Sequence, residues 1–309
     1  MPGSVASRSA RPPHEQDALL RDRADRDRFD WGSLTLLTPA FGLLVVLFIV
    51  PVAYAVYLGL TNLTLIGPLA TDWHFTGLAN IERLATDGTF LPSIWVTVLF
   101  LVGSMAGVLV VGLSLALLLQ RGSALVGTLV GGLVIIAYMM PAITAGMTWY
   151  ASTTGGGTFG TLLGMNQADF LESFPLLVVT LANVWSQTGF AMLVLSAALR
   201  NIPIEILEAA SLEGASPVHR FRRVVLPLLG PSIRTTVLLV SLMSLANFAL
   251  IYLMTQGGPG DATNILPIDS YQQAFVFSNL GYGALIGDAM VVVVSVLGVV
   301  YVRAARRHA

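Results

Sequence analysis

The chain has 309 residues, 55% hydrophobic and 11% charged, with a mean hydropathy of +0.78. That is too apolar for an ordinary soluble domain of this length, and repeated apolar runs of about 20 residues predict transmembrane helices. Cysteine is absent, which excludes disulfides, thiolate catalysis and cysteine-bound metals, and the formal net charge of −1 says less than where the sixteen basic residues, all arginine, are placed.

Residues 1–33 form a polar arm in which Arg and Asp alternate from Arg21 to Asp30. Nothing in it can bury a core, so a frayed cytoplasmic tail is expected, and no cleavage site marks a signal peptide. A transmembrane domain over residues 34–303 follows, with a short tail at 304–309. Its first span covers Leu34–Leu60, where Pro51 predicts a kink, and Thr61–Leu91 is a polar loop. The second span, Pro92–Leu119, carries Gly103-x-x-x-Gly107, and the third, Ala124–Tyr150, carries Gly127-x-x-x-Gly131. Such pairs allow close helix approach. Pro141 should bend the third span. The Gly/Thr-rich loop Ala151–Phe174 leads to the fourth span, Pro175–Leu199. After a polar segment at 201–227 come the fifth span, Ser232–Met254, and the sixth, Gly283–Val302.

Six spans place both termini on one side. Fifteen of the sixteen arginines fall on that side and only Arg83 on the other, which makes the termini and the 201–227 segment cytoplasmic. Two short helices are predicted in that segment. Asn201 is a candidate N-cap for the first, and Gly214 ends it in the left-handed conformation. Ser216 caps the second, with Pro217 at its first position, and Pro227 ends or bends it.

This segment contains Glu208-Ala209-Ala210, then Gly214, then Val224-Val225-Leu226-Pro227. It resembles the EAA loop of binding-protein-dependent ABC importer permeases. Phe75-Thr76-Gly77-Leu78-Ala79-Asn80, Thr255-Gln256-Gly257-Gly258-Pro259 and Gly281-Tyr282-Gly283 resemble further segments of the sugar-importer permeases, of the maltose or glycerol-phosphate type. The resemblance implies an all-α polytopic protein of the bacterial cytoplasmic membrane, with six spans and a cytoplasmic two-helix coupling loop. It implies a complex with a second homologous permease, two ATP-binding subunits and an extracytoplasmic binding protein or lipoprotein. Glu208, Ala209, Ala210, Gly214, Leu226 and Pro227 are then the ATPase-coupling residues. ATP and Mg would be bound by the partner ATPase and no cofactor by this chain.

The sequence offers no catalytic constellation. His14, His74, His219 and His308 lack metal-ligand spacing, and Gly155-Gly156-Gly157 lacks the Lys-Ser/Thr of a phosphate loop. A non-catalytic subunit that binds no metal or nucleic acid is expected. Within the fourth span Asn183, Ser186, Gln187 and Phe190 share a helix face, as do Met243, Ser244 and Asn247 in the fifth. Amides suit sugar hydroxyls and a ring can cover a sugar's apolar face. The resemblance places substrate contacts around Asn183 and just before Asn247. Asn183, Ser186, Gln187, Phe190, Ser244 and Asn247 are therefore the candidate substrate residues, with helix-to-helix hydrogen bonding as the competing role. Gln187 and Ser244 depart from the maltose permease pattern. Asp288, an acid well inside the sixth span, could line the pathway, face a partner or be protonated. The expected function is the permease subunit of an importer for a di- or oligosaccharide. A glycerophosphodiester or glycerol-phosphate importer, an ion-coupled secondary transporter and a structural membrane scaffold are the alternatives.

Overall fold

The computed structural model describes residues 31–306. Among them the only β pairing is an isolated bridge between Thr61 and Phe75. Four helical stretches are long and apolar enough to cross a membrane, and two bent helix pairs bring the number to six if each pair is one span. The all-α, six-span expectation agrees with this. The readings made for residues 1–30 and 307–309 lie outside the described residues.

Contacts divide the chain at Tyr54–Ala55. The first unit holds α1 (Trp31–Leu44), a π turn at Val45–Ile49 and the start of α2 (Val50–Gly59). All its described side chains are exposed, Phe48 to 67%. The π turn falls just before Pro51, where the proline ring would otherwise crowd the Leu47 carbonyl.

In the second unit, α3 (Ala79–Thr86) precedes α4 (Phe90–Arg121), and α5 (Ala124–Met139) precedes α6 (Ala142–Thr153). Two short helices, α7 (Thr158–Leu162) and α8 (Phe170–Ser173), lead into α9 (Pro175–Arg200). The polar segment forms α10 (Ile204–Leu212), α11 (Pro217–Arg220), a π turn at Phe221–Val225 and α12 (Leu226–Leu228). Then follow α13 (Gly230–Ala246), α14 (Phe248–Thr255), α15 (Leu266–Tyr271), a π turn at Gln272–Val276 and α16 (Leu280–Arg306).

The α4–α9 pair is the spine. A Cβ on Gly103 would lie 3.0 Å from Thr180, one on Gly107 2.5 Å from Val184, and one on Gly112 2.7 Å from Ala191. Both numbers rise together, so the helices run parallel, and small residues let their backbones meet. Gly103-x-x-x-Gly107 therefore does pack closely. Gly127 and Gly131 meet only Leu119, at ordinary contact distances of 3.7–4.0 Å, so the second glycine pair carries no close seam. Gly112→Ala should force α4 and α9 apart and cost about 1–3 kcal/mol, whereas Gly132→Ala has open space around it. Thermal unfolding of the two purified variants checks this; equal melting temperatures would show that the seam tolerates widening.

Pro141 bends the third span as predicted. α5 and α6 meet at 104°, with Met140 and Pro141 in extended conformations at the elbow. Asn247 (φ −82°, ψ 40°) separates α13 from α14 in the fifth. The 75–80 and 281–283 motifs serve one junction. Asn80 Nδ2 donates to the carbonyls of Gly59 and Thr61 at 2.8 and 2.7 Å, satisfying the end of α2. Gly281 N donates to Leu63 O at 2.9 Å, and any Cβ on Gly281 would overlap Thr61 O.

Near this junction Asp269 on α15 is buried, and Ser93 Oγ donates to its Oδ2 at 3.1 Å. Burial pushes its carboxyl up to about 6, the Ser93 bond opposes this, and the charges of Asp87 and Asp261 add to it. A carboxyl raised in the fold takes its proton more readily there than in the unfolded chain. Its contribution to stability thus grows as pH falls from above 6 toward the ordinary value of 3.8. Melting temperatures between pH 7.5 and 5 should therefore rise more in the native protein than in Asp269→Asn; parallel profiles would refute this.

Candidate functional site

The α5–α6 elbow and the end of α13 meet beside the middle of α9 and border an open cavity of about 300 Å³. Its lining is Tyr138, Met140 and Ala142 from the α5–α6 elbow, Ser186 and Gln187 from α9, and Met243, Ala246 and Asn247 from the end of α13. None of these side chains is charged.

The amides behind this lining are bonded into one cluster. Asn183, fully buried, donates from Nδ2 to Ser244 Oγ at 2.9 Å. Its Oδ1 accepts from Gln187 Nε2 at 3.2 Å and from Asn247 Nδ2 at 2.9 Å. Ser244 is buried at the same junction. Asn183 and Ser244 thus form a hub that aims Gln187 and Asn247. Both amides turn their N–H groups toward Asn183. Gln187 is 4% exposed, and its Oε1 has no hydrogen-bond partner among the described residues. A buried acceptor left unpaired is costly.

Ser186 lines the cavity while its hydroxyl donates to Asn183 O at 3.0 Å. Phe190, one turn further along, packs beside Tyr138 at 6.4 Å between ring centroids and is not part of the lining. Trp185 lies edge-on to Trp149 at 6.3 Å, a packing contact. Sequence reasoning missed Tyr138, Met140, Ala142 and Ala246 as lining residues. The signal was present in Pro141, because an interrupted apolar segment points to a site inside the membrane. Asp288 stands apart from this cavity, half-buried on α16 where a Cβ on Gly59 would lie 3.0 Å from its Oδ2.

The Glu208 loop is a second, exposed site. α10 ends at Gly214, with φ +79°. Gly214 N donates to Ser211 O at 3.0 Å and Ala215 N to Ala210 O at 3.1 Å, so the turn closes on the helix carbonyls. Ser216 caps α11 by accepting from His219 N, with Pro217 in the first turn, as predicted. The cap on the other helix is different. Asn201 ends α9, and Pro203 occupies the N-cap of α10. Arg220 donates to Ser211 Oγ, fastening α11 to α10. Glu208 and Ala209 are exposed, and Ala210 and Gly214 line a cleft of about 490 Å³ with His219 and Arg223. Leu226 and Pro227 are exposed on α12, beyond which the chain turns by 66° into α13. Leu212 is 90% exposed beside the Gly214 turn. Among the described residues no group of three His, Cys, Asp or Glu is placed to hold a metal.

Broken and unbroken apolar spans, an uncharged cavity beside α9 and an exposed two-helix loop between α9 and α13 are the features of a membrane permease. The chain belongs to the family described as binding-protein-dependent transport system inner membrane component, whose model matches residues 29–308. It is a permease subunit of an ATP-driven, binding-protein-dependent importer. It is 31% identical to the sulfoquinovosyl glycerol transport permease SmoG of Agrobacterium fabrum, over 89% of this chain and 90% of that one. It is 32% identical to the trehalose transport permease SugA of Mycobacterium tuberculosis, over 87% and 86%. The fold matches a chain of a bacterial ABC transporter involved in the import of the acidic polysaccharide alginate, with a TM-score of 0.73 at 17% identity, covering 94% of this chain and 99% of that one.

Proposed function

We propose that this chain forms half of the translocation pathway for a neutral di- or oligosaccharide and couples that pathway to an ATPase through the Glu208 loop. The observation that carries the substrate class is a cavity lined by Ser186, Gln187 and Asn247 and by no charged side chain. Hydroxyl and amide side chains suit sugar hydroxyls, and no lining cation supports a phosphate or sulfonate. Relatives named for trehalose and for trehalose/maltose transport support the same class. In this reading Gln187, Asn247 and Ser186 meet the sugar, Asn183 and Ser244 aim the amides, and Phe190 supports the Tyr138 wall. A second permease supplies the other half. Two ATPases hydrolyse ATP, and an extracytoplasmic binding protein delivers the sugar. Uptake by the reconstituted complex tests it: trehalose or maltose should be accumulated, and sulfoquinovosyl glycerol and glycerol 3-phosphate should not compete. Preferential uptake of either anion would overturn the neutral-sugar reading.

The arginine distribution supports a cytoplasmic placement of both termini and the Glu208 loop. Because the chain has no cysteine, single cysteines report sidedness directly. Residues near Gly156 and Gly258 should react with an impermeant thiol reagent from outside intact cells, and residues near Gly214 only after the membrane is opened. External labelling at Gly214 would reverse the orientation and remove the ATPase contact.

A further inference from the structure

The Glu208 loop has an outer and an inner face. Ser216 and His219 of α11, with Arg223 in the π turn that follows, line the cleft beside Gly214. Pro217, Arg220 and Phe221 line a separate cavity of about 180 Å³ at the neck of the loop. The two sets interleave at the i, i+3 and i+4 spacing of a helix, so one short segment serves two surfaces.

The neck cavity joins the loop to the spans. Leu117 and Leu199 form its wall on the span side, within about one turn of Arg121 and Arg200, the last residues of α4 and α9. Leu207 of α10 and Phe221 close it from the loop side. Its polar lining is Gln120 and Arg220, and no carboxylate lines it. The cavity thus lies where two apolar spans give way to a polar loop, which is the level of phospholipid headgroups.

Arg220 is half-buried, and among the described residues it has no ion-pair partner. It donates to Ser211 Oγ, which leaves its other N–H groups to donate elsewhere. Arg200 and Arg222, next in sequence to the lining residues Leu199 and Phe221, are exposed and add positive charge nearby. A cation with spare donors at the foot of apolar walls is matched by a phosphate carried on an apolar body. A soluble anion would meet the cation but leave the leucines against water.

We propose that the neck cavity binds the headgroup of an anionic phospholipid from the leaflet beside it, with the phosphate on Arg220 and Gln120, and that the bound lipid braces α10 and α11 against the ends of α4 and α9. Leu118, next to Leu117 and 63% exposed, offers the acyl chains an apolar path out of the cavity. This concerns the inner face of the loop and does not depend on what docks on the outer face.

The test uses the complete importer in nanodiscs of phosphatidylcholine with and without phosphatidylglycerol. In native mass spectrometry the native complex should keep a phosphatidylglycerol that Arg220→Gln holds about fivefold less tightly, the effect of one arginine beside a membrane surface. Gln120→Glu places a carboxylate at an exposed helix end, where folding tolerates it, and should weaken the same adduct. Ser211→Ala removes the bond from Arg220 to α10 but keeps the guanidinium, and should retain the lipid. Amide hydrogen exchange over residues 204–225 should be slower with phosphatidylglycerol than without it in the native complex, and indifferent to it in Arg220→Gln. Equal retention by the native, Arg220→Gln and Gln120→Glu complexes would overturn the site. Loss from Ser211→Ala as large as from Arg220→Gln would reduce Arg220 to a fastening of α11 and overturn the headgroup contact. If inorganic phosphate in phosphatidylcholine discs slows exchange as much as phosphatidylglycerol does, the ligand is a soluble anion and the lipid assignment falls. A retained lipid with unchanged exchange would overturn the brace.

Discussion

Gly214→Asp is expected to leave the permease inserted and folded while lowering substrate-stimulated ATP hydrolysis of the complex at least about tenfold, the equivalent of ~1.4 kcal/mol. The left-handed φ of +79° is easy only for glycine, and an L side chain there adds about 1 kcal/mol or more of strain. A Cβ at this position meets nothing within 4 Å, so the isolated loop has room for it. The larger defect should therefore emerge on docking, when the cleft beside Ala210, Ser216 and His219 must accept a partner. Three variants separate the causes. Gly214→Asn tolerates the left-handed backbone but adds bulk, and Gly214→Ala adds strain with little bulk. Glu208→Lys, on the exposed face of α10, changes charge without strain. If docking is the defect, Gly214→Asn and Glu208→Lys should both lose the ATPase in pull-downs, and Gly214→Ala should lose less. Normal recovery and normal stimulation in all of them would show the loop to be a connector between α9 and α13, and the coupling proposal would end.

Asn183→Leu should be the most damaging change within the cavity. Asn183 is the common partner of Gln187, Asn247 and Ser244. Removing it takes a partner from the buried Gln187 and Ser244 and from the half-buried Asn247, leaving only the 3.5 Å bond from Gln187 Nε2 to Ser244 Oγ; each group left unpaired is worth ~1–3 kcal/mol unless water reaches it. Part of that loss will be relieved by Gln187 and Asn247 swinging into the cavity, which changes the groups that line it. A 10- to 100-fold fall in transport is expected from roughly 1.5–3 kcal/mol of unrelieved cost. By contrast, Gln187→Ala and Asn247→Ala each remove one ligand contact and should mainly raise KM. Assembly, read by co-purification with the partner permease and ATPase, should survive in all three. Transport at the native rate by Asn183→Leu would mean that the amide cluster only ties α9 to α13.

The sequence by itself determined the spans, the bend at Pro141 and the chemistry of the Glu208 loop. These are local properties. Twenty apolar residues need no partner to be recognised as a span, a proline ring bends a helix wherever it sits, and Gly214 and Ser216-Pro217 act on their own backbone. Even here, the N-cap of α10 moved from Asn201 to Pro203, because α9 continues through Arg200 and takes Asn201 as its own cap. Tertiary structure alone decided how the polar face of α9 is used. Helical spacing puts Asn183, Ser186, Gln187 and Phe190 on one side, but that side meets two neighbours. α13 engages Asn183 through Ser244 and Asn247, while α5 brings Tyr138 against Phe190. Only Ser186 and Gln187, in the gap between those contacts, reach open space. The two glycine pairs differ for the same reason: Gly103 and Gly107 face α9, while Gly127 and Gly131 face only the side chain of Leu119. The elbow N–H groups of Ala142, Ile143 and Thr144, which have no hydrogen-bond partner among the described residues, are likewise invisible in the residue types, since these three read as ordinary span residues. Their hydrogen-bonding capacity comes from the backbone, and which backbone groups are left unpaired is settled only when the helix breaks beside a cavity.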